Sequence, residues 1–488
     1  PPNPGTFEPP NPHPPEPSNL TFMYQSAILL SFLATCFFAC SNQQPQTESV
    51  KLSGAENEIK LMTLDPGHFH AALVQKNHYP QVDSMVYIYA PDGPELKGHL
   101  ARIESYNQRE AEPTHWASKV YTGADYLEKM LSEKPGNVVV ISGNNAQKTH
   151  YIQSCIEAGI NVLADKPMAI KPADFTRLQD LFPLAEKKGV LLYDIMTERH
   201  EISTMLQREL AQMPALFGTL EKGTPENPAI TKESVHHFFK YVSGSALIRP
   251  AWFFDVEQQG EGVVDVSTHL VDLVLWECFP EQSISYQKDI QLQAAKRGAT
   301  DLTSAQFKLV TGLPGFPSFL KKDLSKDSTL KVFANGETHF SVKGVHAKVS
   351  VIWNFQAPEG ASDTHFSIMR GTKANLIIRQ GAAEKYRPVL YVEPLPNVDK
   401  ASAETALKEA LKKLNAGQFQ GLGYEASEKG WKILIPDSYN VGHEAHFAQV
   451  TEKYLQYLAQ GKLPEWEVPN MLAKYYVTTK AYEMSRTK

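Results

Sequence analysis

The sequence predicts an α/β chain of two domains: an N-terminal domain on a parallel sheet, then a C-terminal α+β domain with an open, mostly antiparallel sheet. Three observations carry that expectation. Between residues 57 and 195, short and almost wholly apolar runs alternate with helical segments, the pattern of a parallel sheet covered on both faces. After about residue 196 the alternation stops, and strand-like runs are separated by turn residues. The length of 488 residues also exceeds one ordinary domain. At 42 % hydrophobic and 21 % charged residues the chain is globular rather than disordered. A net charge of −6 lacks the basic footprint of a nucleic-acid partner. Four cysteines, Cys36, Cys40, Cys155 and Cys278, exclude a disulfide scaffold.

Residues 1–22 are a Pro-rich extension that cannot bury a core. Residues 23–40 (MYQSAILLSFLATCFFAC) carry an apolar run, Ala27 to Ala39, too short to span a bilayer but suited to a secretory signal. A cysteine closing such a run, ahead of a polar tether over 41–56, is similar to a bacterial lipoprotein signal with Cys40 as the lipidated residue. The segment departs from that pattern in two ways: no Lys or Arg precedes Lys51, and Phe37-Phe38-Ala39 is bulky for a lipobox. The alternative is a buried N-terminal helix. The expectation is an exported protein, lipid-anchored to a bacterial membrane and facing the periplasm or cell surface, with no membrane-spanning segment.

Residues 57–195 read as a Rossmann-like domain. The strand Ile59 to Leu64 meets Asp65-Pro66-Gly67-His68-Phe69-His70 and then an expected helix over AALVQKNHY. In the frame of the G-x-G-x-x-G phosphate loop only the middle glycine, Gly67, survives, flanked by His68 and Phe69. A second strand, Ser84 to Tyr89, leads to Asp92, where an acidic residue would grip a ribose diol and favour NAD over NADP. Helices are expected near 98–110 and over 123–132, with a short strand at 119–121 between them. The apolar strand Asn137 to Ile141 is followed by Ser142-Gly143-Asn144-Asn145, a helix to Gly159 and a strand from Ile160 to Ala164. Ligand belongs at the carboxyl ends of these strands. A metal site from His68 and His70 is not expected, because no third ligand of fitting spacing lies nearby.

The stretch Ala158-Gly159-Ile160-Asn161-Val162-Leu163-Ala164-Asp165-Lys166-Pro167 resembles the AGKHVxxEKP signature of the Gfo/Idh/MocA oxidoreductases, with Asp165 in place of Glu. Upstream, Asn145 matches the Asn of that family's TPNxxH motif, and Lys148 stands at its His. Downstream, residues 260–272 (GEGVVDVSTHLVD) resemble the family's GGGxxxDxxxHxxD segment, which places Asp265 and His269 one helical turn apart. The resemblance covers about residues 57–485; insertions at 281–330 and 395–435 fit it poorly.

The resemblance implies an NAD(P)-dependent enzyme that moves a hydride at a carbinol of a sugar, polyol or glycoside. It implies NAD as cofactor, with NADP as the alternative, held near Gly67, His68, Phe69, Asp92, Ser142, Asn145, Asp165 and Lys166. It implies Lys166, Asp265 and His269 as catalytic residues, with Asp265 and His269 also contacting substrate. Hydride removal from a carbinol requires a base for the hydroxyl proton, for which His is suited, and a Lys can steady the developing charge on oxygen. Arg199 and Trp252 are further substrate-site candidates, Tyr193 a weaker one. Two alternatives are a redox-neutral NAD-dependent glycoside hydrolase or lyase of the same fold, and a non-catalytic carbohydrate-binding lipoprotein.

In the remaining residues, 196–488, strand-like runs at 329–333, 345–355, 365–369 and 375–379 are separated by expected turns at Asn335-Gly336 and Arg370-Gly371. In the family this sheet carries substrate contacts and an oligomer interface, so a homo-oligomer is implied. Ala401 to Leu414 is an amphipathic helix, and two closing helices are expected at 443–460 and 469–485. His236-His237 and His443-Glu444-Ala445-His446 lack the HExxH spacing and read as structural or pocket-lining.

Overall fold

The computed structural model describes residues 52–242 and 245–487. The Pro-rich extension, the signal-like segment with Cys40 and most of the tether lie outside the described residues. Among the described residues no helix is long and apolar enough to cross a membrane.

The first sheet consists of β1 (Leu61–Leu64), β2 (Met85–Tyr89), β3 (Ala117–Tyr121), β4 (Val138–Ile141), β5 (Asn161–Asp165) and β6 (Leu192–Ile195). All pair in parallel, in the order β3-β2-β1-β4-β5-β6. β1, β4 and β6 are buried along their whole length, as their apolar sequences demand. The connections carry α1 (His70–Leu73), α2 (Pro94–Gln108), α3 (Tyr126–Glu133), α4 (Asn145–Glu157) and α5 (Pro172–Lys188). Proline opens α2 and α5, where its missing N–H costs nothing. The helix expected over 71–79 is cut short: α1 ends at Leu73, and Gln75 and Lys76 close tight turns onto Ala72 and Leu73. Pro80 disfavours helical backbone at Tyr79, whose ring is buried instead.

The second half contributes α6 (Ile202–Ala211), β7 (Ile230–Phe239), a short β8–β9 ladder (Tyr241–Val242 and Ser245–Ala246), α7 (Val256–Gln259), α8 (Ser267–Cys278), β10 (Ile290–Leu302) and α9 (Ser304–Thr311). It continues with β11 (Leu330–Val342), β12 (Val345–Gln356), β13 (Thr364–Arg370), β14 (Ala374–Gln380), β15 (Val389–Pro394), α10 (Lys400–Asn415), β16 (Gly423–Ala426), β17 (Trp431–Leu434), α11 (His443–Gln460) and α12 (Glu467–Met484). The larger sheet has the order β10-β11-β12-β7-β13-β14-β15-β17-β16. It is antiparallel except where β12 pairs in parallel with β7. The fold is therefore α/β with a mixed, mostly antiparallel second sheet.

One expected turn is absent. Asn335-Gly336 lies inside β11 rather than between strands. Asn335 donates to Thr300 Oγ1 and accepts from Trp353 N, which stitches three strands together. A Cβ on Gly336 would sit 2.7 Å from Val263 N, so the glycine admits the chain leading to α8. Arg370-Gly371 does separate β13 from β14.

α12 joins the two cores. Met471 and Tyr475 pack into the core around the parallel sheet, whereas Ala473 and Val477 pack into that of the larger sheet.

Candidate active site

The carboxyl ends of β1, β4, β5 and β6 are level: Leu64 pairs with Ile141, Ala164 with Ile141 and Asp165 with Ile195. The turns that follow therefore converge. The β1 and β4 turns touch backbone to backbone, since a Cβ on Gly143 would sit 2.2 Å from Asp65 O and 2.9 Å from Gly67 N. Three N–H groups of the β1 turn are used internally: Gly67 N to Asp65 O, His68 N to Ser142 O and His70 N to His68 Nδ1. Among the expected phosphate-loop residues this leaves the Phe69 N–H.

Asp165 organises the floor. Its Oδ2 accepts from Ser142 Oγ at 2.9 Å and lies 2.9 Å from His70 Nδ1. Burial works against its charge, but His70, Lys148 and His68 hold its carboxyl well below the usual range. His68 Nδ1 is 3.8 Å from the same oxygen. The fold thus supplies a third group beside His68 and His70 that sequence spacing did not show, and the ligand atoms lie within 4.8 Å of one another. Two cations oppose a metal there: Lys148 Nζ donates to Asp165 O at 2.8 Å, and Lys166 follows Asp165 in the chain.

Lys148 was not singled out as a site residue. It is buried, donates to Asn145 Oδ1 at 2.6 Å and has its pKa pushed down to about 8 by burial. Its sequence signal is its place at the His of the TPNxxH-like motif, three residues after Asn145 on one face of α4. Gln259 was also missed, because a glutamine in a short helix carries no local signature.

His68, Gly143, Asn145, Asp165, Lys166 and Gln259 line a small polar cleft. Its position and polar lining fit the nicotinamide end of a dinucleotide. Asp92 sits beyond the end of β2, exposed and 3.7 Å from Lys97.

The second domain roofs this cleft. Asn145 donates to Gln259 O at 2.7 Å and Asn144 to Gln258 Oε1 at 2.6 Å. The Trp252 ring lies 3.3 Å from where a Gly67 Cβ would stand, so this residue covers the β1 turn.

Lys166 Nζ donates to Asp265 Oδ1 at 2.9 Å, and Gln259 Nε2 donates to Asp265 Oδ2 at 3.0 Å. Burial pulls the Lys166 pKa down, but Asp265 and Asp165 outweigh it and hold the ammonium above its ordinary value. One helical turn on, His269 Nδ1 is buried with no hydrogen-bond partner among the described residues. Burial, Lys166 and His443 keep His269 well below its usual pKa, hence neutral. Glu198, on the 3₁₀ turn Thr197–His200 after β6, has its pKa raised to about 7 by burial and Glu201.

Beyond Gln259 and Asp265, Phe238, Phe253 and Trp353 pack on one another around a water-sized buried void.

Arg199 is turned away from a substrate role. It donates to both oxygens of Asp272 at 2.7 Å and to Glu467 at 2.8 Å. Lys474 bridges Asp272 and Asp194 at 2.9 and 2.7 Å. Both Asp272 and Arg199 belong to this buried network, which its paired charges satisfy. Tyr193 is core, stacked on Tyr454. His443 lies 5.4 Å from the His70 ring, between the floor and His269.

Two family profiles match the chain. "Oxidoreductase family, NAD-binding Rossmann fold" covers residues 68–194 and "Putative oxidoreductase C terminal domain" covers 206–486. The crystal structure of a "putative oxidoreductase" from Parabacteroides merdae is 56 % identical, with a TM-score of 0.88, over 89 % of this chain and 99 % of that one. The 3-ketoreductase KijD10 from Actinomadura kijaniata, solved with NADP and TDP-benzene, is 12 % identical, with a TM-score of 0.53, over 88 % and 98 % of the two chains. Biliverdin reductase from Synechocystis, solved with biliverdin and NADP+, is 11 % identical, with a TM-score of 0.51, over 88 % and 99 %. At such identities the likeness is one of fold. No curated protein matches the chain.

Proposed function

The chain belongs to the Gfo/Idh/MocA oxidoreductase family, with its NAD-binding Rossmann fold, and from that premise we propose that it transfers a hydride at a carbinol carbon of a sugar, polyol or glycoside. The observation that carries this reading is the Lys166–Asp265 ion pair at the edge of the polar cleft, one helical turn from a His269 nitrogen that has no partner among the described residues. The nicotinamide, when bound, supplies the hydride acceptor or donor. His269, neutral at physiological pH, takes the proton of the carbinol hydroxyl. Lys166, charged and fixed by Asp265, donates a hydrogen bond to the carbinol oxygen and steadies its charge. Asp92 supports NAD over NADP by repelling a 2′-phosphate. Calorimetry with each cofactor, followed by single-turnover assays on a sugar and glycoside panel, tests the reading. His269→Ala should slow the chemical step by roughly a hundredfold while NAD binding persists; an unchanged rate sinks the assignment.

The roof made by Trp252, Gln258 and Gln259 favours a second reading, a redox-neutral glycoside hydrolase or lyase that keeps its nicotinamide through turnover. In such an enzyme the carbinol one carbon removed from the glycosidic carbon would be oxidised, the C–H between them would be acidified and the aglycone eliminated; in a hydrolase water would then add to the double bond, and the same nicotinamide would return the hydride. Free sugar released with no net NADH, and solvent deuterium incorporated beside the oxidised carbon, would support it over the first.

We also propose a lipid anchor at Cys40 that holds the protein on a bacterial membrane, on the strength of the short apolar run and its closing cysteine. A Cys40→Ala chain that is still processed and anchored like the parent overturns this.

A further inference from the structure

Six residues around the cleft are joined in a closed circuit of five hydrogen bonds. Lys148 Nζ donates to Asp165 O at 2.8 Å, and the next residue along the chain is Lys166. Lys166 Nζ donates to Asp265 Oδ1 at 2.9 Å, and the other oxygen of that carboxylate accepts from Gln259 Nε2 at 3.0 Å. Gln259 O accepts from Asn145 Nδ2 at 2.7 Å, and Asn145 Oδ1 accepts from Lys148 Nζ at 2.6 Å, which returns to the start. The six come from α4, the end of β5, α7 and the turn before α8. Two of the bonds, Lys166 to Asp265 and Asn145 to Gln259, cross between the domains.

Water has little access to this circuit. Asn145, Lys148, Asp165, Gln259 and Asp265 are all buried, the most exposed of them at 8 %. Hydrogen bonds shielded in this way are stronger than their counterparts in water and polarise one another. Lys148 is the member whose burial is hardest to account for by stability alone. Lys166 and Lys474 each meet a carboxylate, whereas both acceptors of Lys148 are neutral, and burial pushes its pKa down to about 8. Burying an ammonium without a carboxylate partner is destabilising by itself. Gln259 takes part with both its main chain and its side chain: the first meets the parallel-sheet domain, and the second meets the carboxylate that fixes Lys166.

We propose that Lys148 and Gln259 are positioning residues that act as one unit, holding Lys166 at both of its ends. Lys148 fixes the main chain from which Lys166 projects, and Gln259 fixes the Asp265 carboxylate that takes its ammonium. Asn145 ties the two holds to each other, so a break at either one slackens both. The inference rests on the reading of Lys166 as the group that donates to the carbinol oxygen. Lys148 and Gln259 act on that oxygen only through Lys166. The circuit closes only while α7 lies on α4, so the ammonium is aimed only when the second domain is seated over the cleft.

The test is a double-mutant cycle on the full chain, with two readouts. The first needs neither sugar nor cofactor: the rate at which Lys166 reacts with an amine-directed reagent, read by mass spectrometry of its peptide. Lys148→Met and Gln259→Leu should each raise that rate roughly tenfold, the scale of one hydrogen bond to a charged group. The double variant should react no faster than the faster single, because one break already opens the circuit. Effects that multiply to roughly a hundredfold, or singles that leave Lys166 as protected as in the parent, overturn the proposal. If Lys148→Met does not fold, Asn145→Ala takes its place in the cycle. The second readout is turnover with NAD on the sugar and glycoside panel, where each single variant should lower kcat by roughly tenfold and leave the KM for sugar unchanged. A change in KM alone, or an unchanged kcat, overturns the positioning role. A parent that turns over no member of the panel sinks the oxidoreductase reading instead, and the labelling cycle still decides whether the circuit acts as one unit.

Discussion

Lys166, at the end of β5, and Asp265, ahead of α8, are 99 residues apart in sequence and 2.9 Å apart in space. Their bond spans the junction between the parallel sheet and the second domain. Asp265 therefore sets the charge and direction of the Lys166 ammonium. Asp265→Asn should lower kcat by about ten- to a hundredfold, the scale of one charge-assisted hydrogen bond expressed in a barrier. NAD affinity, measured by calorimetry, should change far less, because the rest of the cofactor cleft is untouched.

The pH profile follows from His269. Its ordinary pKa of 6.5 is lowered by burial and by the charge of Lys166. A base must be unprotonated to act, so activity is lost only as pH falls through the lowered value. The acid limb of kcat/KM should therefore inflect below 6.5. An acid limb above 6.5 would contradict the assignment.

Arg199 is a structural charge. Arg199→Ala would leave Asp272 and Glu467 short of their partner in a buried setting, where such a loss costs about 3–5 kcal/mol. The expected outcome is a clear drop in Tm, read by calorimetry, with catalysis at low temperature reduced only as far as α8 shifts.

His99 makes stability depend on pH. Both of its ring nitrogens are buried without partners among the described residues, and burial lowers its pKa to about 4. Above pH 6.5 the ring is neutral folded or unfolded. As pH falls below 6.5 the unfolded chain takes a proton that the folded chain refuses, so stability drops until about pH 4. Between pH 7 and 5 this one residue should remove about 2 kcal/mol. Denaturant titrations at the two pH values check it, and His99→Gln should flatten the difference.

The parallel sheet was legible because β1, β4 and β5 are apolar runs between turn residues, and a fully buried strand has no other way to look. Lys166, Asp265 and His269 were legible only as a pattern of spacing within two motifs. The Asp165 cluster was not, since His70 meets it across 95 residues and nothing local announces the contact. Arg199 misled for the same reason: a charged residue after a strand end reads as ligand-facing until Glu467, 268 residues on, arrives to pair with it. Asn335-Gly336 misled because turn propensity is local, whereas the three-strand stitch by Asn335 and the close pass of Val263 are tertiary.

α12 gives Met471 and Tyr475 to one core and Ala473 and Val477 to the other. The two sheets are thereby denied independence, though each has the size of an autonomous module. Neither half can be exchanged for that of a distant cousin unless the matching face of this last helix travels with it. Nor can the nascent chain complete its first core early, because Met471 and Tyr475 emerge from the ribosome after nearly everything else. The N-terminal half, although made first, waits on the C-terminus to be finished.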